Sequence, residues 1–339
     1  MSADLDTAAV DRWLTAHMPG FSGPLSASRI TGGQSNPTYR LDTPSGAYVL
    51  RRKPPGVLLK SAHAVDREFR VQKALADTDV PVARMHVLCE DEDVIGSAFY
   101  LMEAVEGRNF DDPAMPGLSP DARGAMIGAM NSVLAAIHEV DIDAAGLSDF
   151  GPTGNYYARQ LDRWTKQYRA SQTDDLPDMD ALIDWLGANM PPDDGQRRLV
   201  HGDYRLDNLL FAPDRPEIAA VLDWELSTIG HPYADLAAVI MQWSMPHTSE
   251  GRGLAGVNRA ALGLWEDQRF IDEYCARRGL PGIDRFEFYL AFCHFRMAAI
   301  LQGVKKRALD GNASDPERGL QLGAYVPQFA SRGLKVATA

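Results

Sequence analysis

Apolar residues recur along this chain in two rhythms. From residue 6 to 18 they fall at Val10, Trp13, Leu14 and Met18, three or four apart, the spacing of a helix that buries one face. After a proline/glycine break at 19–24 the rhythm shortens. Runs at 25–30, 37–42, 47–53, 85–89 and 98–103 read as strands, parted by turn-rich pieces such as TGGQSN and TPSG, with one helix expected at about 62–76. Beyond about residue 108 the helical spacing takes over. Ser119 ahead of Pro120 reads as an N-cap with proline at the first helical position, and Ile127, Met130, Leu134 and Ile137 then share a face. Tyr157, Leu161, Trp164 and Tyr168 repeat that spacing, and 258–279 and 284–309 read as further helices. Two short β-like runs, 208–212 and 218–223, flank a turn with Pro213 and Pro216. The tail after 310 is expected to be ordered only in part, by packing. The pattern therefore predicts an α+β protein in two lobes: a small antiparallel-sheet N-lobe, residues 1–104, and a larger, mainly helical C-lobe, residues 105–339, joined near 103–108.

Composition narrows the function without naming it. The 339 residues suggest roughly two domains, or one domain with two lobes. A 45% hydrophobic and 24% charged chain can bury a sizeable core. The formal net charge of −12 argues against a nucleic-acid partner, because phosphate contacts need clustered lysine and arginine. It leans towards a neutral or cationic substrate, or simply serves solubility. Cys89, Cys275 and Cys293 lie far apart with no ligand spacing, which supports neither a disulfide framework nor a zinc site. The acidic N-terminus carries no signal-like apolar run, and no stretch approaches the ~18 apolar residues of a membrane span. A cytoplasmic protein with no membrane partner is the expectation; oligomeric state is left open.

The chemistry concentrates in LVHGDYRLDNLLF, residues 199–211, where His201, Asp203 and Asn208 stand as H-x-D-x-x-x-x-N. Transfer of a phosphoryl group to a hydroxyl needs a carboxylate beside the acceptor oxygen, to orient it and take its proton. It also needs hard oxygen ligands for Mg²⁺ nearby. Asp203 suits the first task. Asn208 suits the second, since an amide oxygen adds no second negative charge beside the base. In AAVLDWE, residues 219–225, an apolar strand ends at Asp223, close enough by a hairpin to share one cation with Asn208.

With these residues the chain resembles the aminoglycoside phosphotransferase / choline-kinase-like family, a variant of the protein-kinase fold, with glycine where protein kinases carry the arginine of H-R-D. The resemblance implies ATP and Mg²⁺ as cofactors, Asp203 as catalytic base, and Asn208 and Asp223 as metal ligands. His201 is then a structural brace. TGGQSNPTYRL, 31–41, takes the place of the phosphate-covering loop: Gly32 and Gly33 allow close backbone approach and Ser35 and Asn36 add donors, although Gly-Gly before Asn also suits an ordinary hairpin. Aligning YVLR with V-A-I-K puts Arg51 at the phosphate-clamping lysine, with Lys53 on the same strand face in reserve. Glu68, on the next helix, is its expected partner. The backbone of Glu103 and Val105, after Met102, falls where the family holds adenine, although Met102 and Phe99 also read as plain core. Asp235 matches an aspartate that braces the catalytic loop, His231 stands where the family more often has an acid, and Asp207 either faces the substrate or bonds locally.

The run GGQSNPTY, YVLRRKPPG and SAHAVDREFRV, with LDWELSTIGHPYADLA, looks closest to the phosphotransferase domains related to those fused to acyl-CoA dehydrogenases. That implies a small-molecule hydroxyl acceptor of the hydroxy-acid or hydroxyacyl-CoA kind. The alternatives are an aminoglycoside-type antibiotic phosphotransferase, with Asp207, Glu225 and Asp174-Asp175 as candidate carboxylates, and a non-catalytic nucleotide-binding regulator.

Overall fold

The computed structural model describes residues 5–30, 36–54, 64–248, 252–313 and 315–339. In chain order the elements are α1 (Thr7–His17), β1 (Ser26–Arg29), β2 (Thr38–Thr43), β3 (Gly46–Arg52), α2 (Val65–Ala74), β4 (Met85–Cys89), β5 (Phe99–Glu103), α3 (Pro120–Glu139), α4 (Tyr156–Ser171), α5 (Pro177–Ala188), β6 (Arg198–Val200), β7 (Leu209–Phe211), β8 (Ile218–Val221), β9 (Thr228–Gly230), α6 (Tyr233–Trp243), α7 (Arg259–Leu262), α8 (Asp267–Arg277), α9 (Phe286–Leu309), α10 (Pro316–Gly323) and α11 (Val326–Ala337). The architecture is α+β. Two compact units form, neither continuous in sequence. One gathers Met1–Asp111, Ala125–Leu147 and His201–Ser227; the other gathers Asp112–Gly124, Ser148–Val200 and Thr228–Ala339.

The first unit is built on a five-stranded antiparallel sheet in the order β1-β2-β3-β5-β4. Period-two alternation sorts its residues to two faces. Leu41, Tyr48, Leu50, Phe99 and Leu101 join Val10 and Leu14 of α1 in one core. Tyr100 packs with Val65 and Ala98, flanked by Phe69 and Met102, in another. The same alternation sends Arg51 to the side of Tyr100, its partner in the β3–β5 register. The hairpin of β7 and β8 completes the unit, with Leu209 opposite Val221. Gly107 lets the chain after β5 run close along that hairpin, where Arg108 and Phe211 exchange backbone hydrogen bonds of 2.7 and 2.9 Å.

In the second unit α9 is the central helix, against which α4, α5, α6, α10 and α11 pack. It is apolar on several sides, with Phe288, Ala291, Phe292, Phe295, Ala298 and Ala299 all buried, as a helix surrounded by others must be. That also orders the tail: α10 buries Gly319 and Gly323 and α11 buries Val326, Phe329 and Ala330, so the chain after 310 is more regular than its sequence suggests.

Elsewhere the expected elements appear with small shifts at their ends. The helix expected over 258–279 does not form as one piece. It breaks between α7 and α8 at Gly263, whose φ is 74° and whose missing Cβ would collide with the Pro120 carbonyl oxygen. The three-residue pair β6–β9 is too short to leave a periodic trace. Gly263→Ala is expected to cost at least ~1–3 kcal/mol, from left-handed strain with the clash added, and urea unfolding measures it.

Candidate active site

The site in the first unit starts from a buried carboxylate. Glu68 lies in the first turn of α2, one per cent exposed. Asn36 Nδ2 donates to its Oε1 at 2.9 Å, and the Tyr100 hydroxyl donates to its Oε2 at 2.9 Å. Arg51 Nε sits 2.9 Å from the same Oε2, an ion-pair contact rather than a well-directed hydrogen bond. The far end of the guanidinium donates from Nη2 to Asp223 Oδ1 at 2.7 Å, and Glu225 Oε2 lies 3.8 Å from it. Arg51 therefore links helix α2 to the end of the β7–β8 hairpin. Lys53, the alternative on the same strand face, forms no side-chain hydrogen bond or ion pair with a described residue; its carbonyl accepts from the Ser97 hydroxyl at 3.0 Å.

Three carboxylates, Glu68, Asp223 and Glu225, bring oxygens within 4.8 Å of one another around this one arginine. Burial pushes the Glu68 carboxyl up to about 7, against the pull of Arg51 and the Tyr100 hydroxyl; the charges of Asp223 and Glu225 add to the rise. Burial works against the Arg51 charge too, but Glu68, Tyr100 and Asp223 outweigh it and hold its pKa above the ordinary value. The cluster is short of positive charge, which suits a further cation at Asp223.

Asp223 itself adopts the left-handed conformation, φ 63°, just past β8. Aspartate is among the few side-chain-bearing residues that tolerate this region, and such strain collects at functional positions. The strand expected to end at Asp223 ends at Val221, and the turn re-aims the carboxylate.

The catalytic-loop motif folds onto this turn. His201 is fully buried; its Nδ1 accepts from the Asp203 N–H at 3.2 Å, so the proton is on Nε2, which donates to the Leu222 carbonyl at 2.9 Å. The ring also packs on Trp224, 4.8 Å between centroids. Gly202 follows at φ 85°, and a Cβ there would fall 2.5 Å from the Leu226 carbonyl oxygen. That contact explains the glycine where protein kinases carry arginine. The Tyr204 hydroxyl donates to the Met130 carbonyl of α3 at 2.7 Å and holds the loop from behind. Asn208 Nδ2 donates to Asp203 twice, to the carbonyl at 2.8 Å and to Oδ2 at 3.0 Å, while Leu222 N–H donates to the Asn208 carbonyl at 2.8 Å. The amide nitrogen is thus spent on Asp203, and the Asn208 Oδ1 accepts nothing from the described residues. A hard, uncharged oxygen one residue across from the Asp223 carboxylate fits Mg²⁺.

The other expected residues fall as follows. Glu103 N–H is committed to the Arg84 carbonyl at 2.9 Å, whereas Val105 keeps both backbone groups unpaired among the described residues. Gly33 and Ser35 lie outside the described residues. Asn36, expected beside phosphates, turns its amide to Glu68 instead. Asp207 bonds locally, its Oδ1 3.1 Å from Arg205 Nε. His231 and Asp235 are buried in the second unit, His231 stacked on Tyr289. Asp174 is taken up by Lys305 at 2.5 Å. Tyr100 and Arg205 were not legible as site residues. The cross-strand register that sets Tyr100 opposite Arg51 is the signal that exposes the first.

A fold of this kind is that of a kinase-type phosphotransferase. A crystal structure from Ralstonia eutropha, provisionally named an aminoglycoside phosphotransferase, superposes with a TM-score of 0.90 at 48% identity, covering 98% of both chains. A thermostable mutant of an aminoglycoside phosphotransferase, in a ternary complex with AMP-PNP and hygromycin B, shares the fold at a TM-score of 0.63 and 18% identity, over 97% of this chain and 98% of that one. The chain belongs to the phosphotransferase enzyme family, whose profile matches residues 26–289. It is 48% identical over 294 residues to acyl-CoA dehydrogenase family member 10 of Mus musculus, covering 86% of this chain and 27% of that protein. To acyl-CoA dehydrogenase family member 11 of Rattus norvegicus it is 41% identical over 339 residues, 98% of this chain and 43% of that protein. It thus spans less than half the length of these relatives. Among the described residues no helix is long and apolar enough to cross a membrane.

The raised Glu68 pKa carries a sign. The folded state holds this proton more tightly than the unfolded chain, whose value is near 4.5, so its contribution is fully present below about 4.5 and is lost as pH rises to about 7. Measured by urea unfolding across that window, the wild type should lose stability relative to Glu68→Gln, whose side chain does not titrate.

Proposed function

We propose that this phosphotransferase moves the γ-phosphoryl group of ATP to the hydroxyl of a small molecule of the hydroxy-acid or hydroxyacyl-CoA class. The observation that carries the reading is Arg51 stretched between Glu68 and Asp223, together with an Asp203 whose carboxylate is tied to Asn208, the residue bonded to Leu222 next to Asp223. In this reading residues 1–104 form the nucleotide-binding lobe, 105–339 the catalytic and acceptor-binding lobe, and the protein works in the cytoplasm. Val105 offers adenine an N–H and a carbonyl that are unpaired among the described residues, with Glu103 beside it. In the same reading Gly33 and Ser35, outside the described residues, serve the phosphates. Asn36, just after them, donates to Glu68 of α2. The acceptor class draws support from the acyl-CoA dehydrogenase names of the longer relatives.

The residues then divide the work. Arg51, pre-oriented by Glu68, swings its fork onto the α- and β-phosphates, for which a bidentate guanidinium is well shaped. Asp203 accepts a hydrogen bond from the acceptor hydroxyl, aligns its oxygen with the γ-phosphorus and takes the proton as the new bond forms. Asn208 Oδ1 and the Asp223 carboxylate would hold Mg²⁺, whose chemistry is to neutralise charge on the phosphate oxygens.

A screen of hydroxyacyl-CoAs, hydroxy acids, aminoglycosides and amino alcohols, read by ADP release, tests the reaction and its acceptor together. Asp203→Asn should lower kcat by ~10²–10⁴-fold and leave the Mg·ATP-induced rise in Tm in place. Asp223→Ala should remove that rise. Wild-type turnover by Asp203→Asn would refute the base. A Tm rise with transfer to no acceptor would favour the non-catalytic regulator.

A further inference from the structure

Arg205 stands in the catalytic loop, and the mechanism above gives it no task. Its Nε lies 3.4 Å from Asp203 Oδ2 and 3.1 Å from Asp207 Oδ1. Asp207 is nearly buried, its side chain 6% exposed, and the Asn109 amide holds its backbone carbonyl at 2.7 Å. Arg205 and Asp203 each remain about one-third open. Asp207 is therefore the fixed end of a short chain, Asp207 to Arg205 to Asp203, and Asp203 is the end that meets solvent.

Both contacts to the Asp203 carboxylate fall on one oxygen. Asn208 Nδ2 donates to Oδ2, and Arg205 Nε lies 3.4 Å from the same oxygen, an ion-pair contact rather than a directed hydrogen bond, while Oδ1 has no partner among the described residues. An aspartate carboxylate otherwise rotates in a broad χ2 well and presents either oxygen. Fixing it removes rotamers in which the acceptor hydroxyl would be out of line. We infer that Arg205 is the positioning residue of the base: it pins Oδ2, so that Oδ1 is the atom that takes the acceptor's proton, and Asp207 holds Arg205 in place. As the acceptor oxygen bonds to the γ-phosphorus, its O–H bond breaks, the proton passes to Oδ1, and the bridging P–O pair leaves with ADP. The inference rests on the function proposed above.

The test uses Arg205→Gln, Arg205→Lys, Asp207→Asn and the Arg205→Gln/Asp207→Asn double variant. Transfer is measured with the best acceptor of the screen, and ADP release to water without acceptor. Arg205→Gln should lower kcat by ~10- to 100-fold in both assays, with KM for Mg·ATP and Tm held near wild type. Arg205→Lys should recover part of the loss, since it keeps the charge but not the planar fork. Asp207→Asn should lower kcat less, and the double variant should be no slower than Arg205→Gln alone, because both act through one chain. A wild-type kcat in Arg205→Gln, a matching rise in KM for Mg·ATP, or losses that multiply in the double variant would each overturn the inference. If Arg205→Gln failed to fold, a wild-type kcat in Asp207→Asn would overturn it. Asp203→Asn separates the layers. If it still transfers, the base assignment falls and this inference with it; if it is dead while Arg205→Gln is normal, only this inference falls.

Discussion

The site hangs on one buried carboxylate. Glu68 has almost no contact with water, so each of its oxygens must be satisfied by protein. Asn36, Tyr100 and Arg51 do so, from the chain before β2, from β5 and from β3. A single acid thereby ties α2 to two central strands and to the end of the glycine-rich segment. It also decides where Arg51 points: with Nε held at Glu68, the terminal nitrogens are carried to Asp223. An arginine can do this because its fork offers donors on two sides, where a lysine presents one point charge.

The second anchor is the loop around Asp203. His201 satisfies backbone on two segments at once, Gly202 passes where no side chain fits, and Asn208 spends its amide nitrogen on the aspartate, its oxygen accepting nothing from the described residues. Each residue type has a reason in this geometry. A one-residue change in spacing would break the register that sets Asn208 beside Leu222 and hence next to Asp223. The motif is a compact statement of where backbone hydrogen bonds go.

Much of this was legible in the sequence. Periodicity located the sheet and the main helices, because alternation and helical spacing are direct records of which face is buried. The loop residues stood out as a motif, and the structure ties Asn208 to Asp203 and, through Leu222, sets it next to Asp223. What stayed hidden depends on long-range packing. Tyr100 reads as an ordinary strand aromatic until the register sets it opposite Arg51. Asn36 reads as a phosphate donor until α2 brings Glu68 to its amide. The break at Gly263 depends on the Pro120 carbonyl, remote in sequence, and α10 and α11 owe their order to α9.

Relatives of more than twice the length carry this region within proteins named as acyl-CoA dehydrogenases. The Ralstonia eutropha structure matches 98% of the same region. Whether the acid-rich cluster around Arg51 takes a nucleotide together with a divalent cation is the deciding question. Isothermal titration of the wild-type protein with ATP, once with Mg²⁺ and once with EDTA, asks this directly. Saturable binding that requires Mg²⁺ is the predicted result; no heat of binding in either titration, or equal affinity in both, would contradict it.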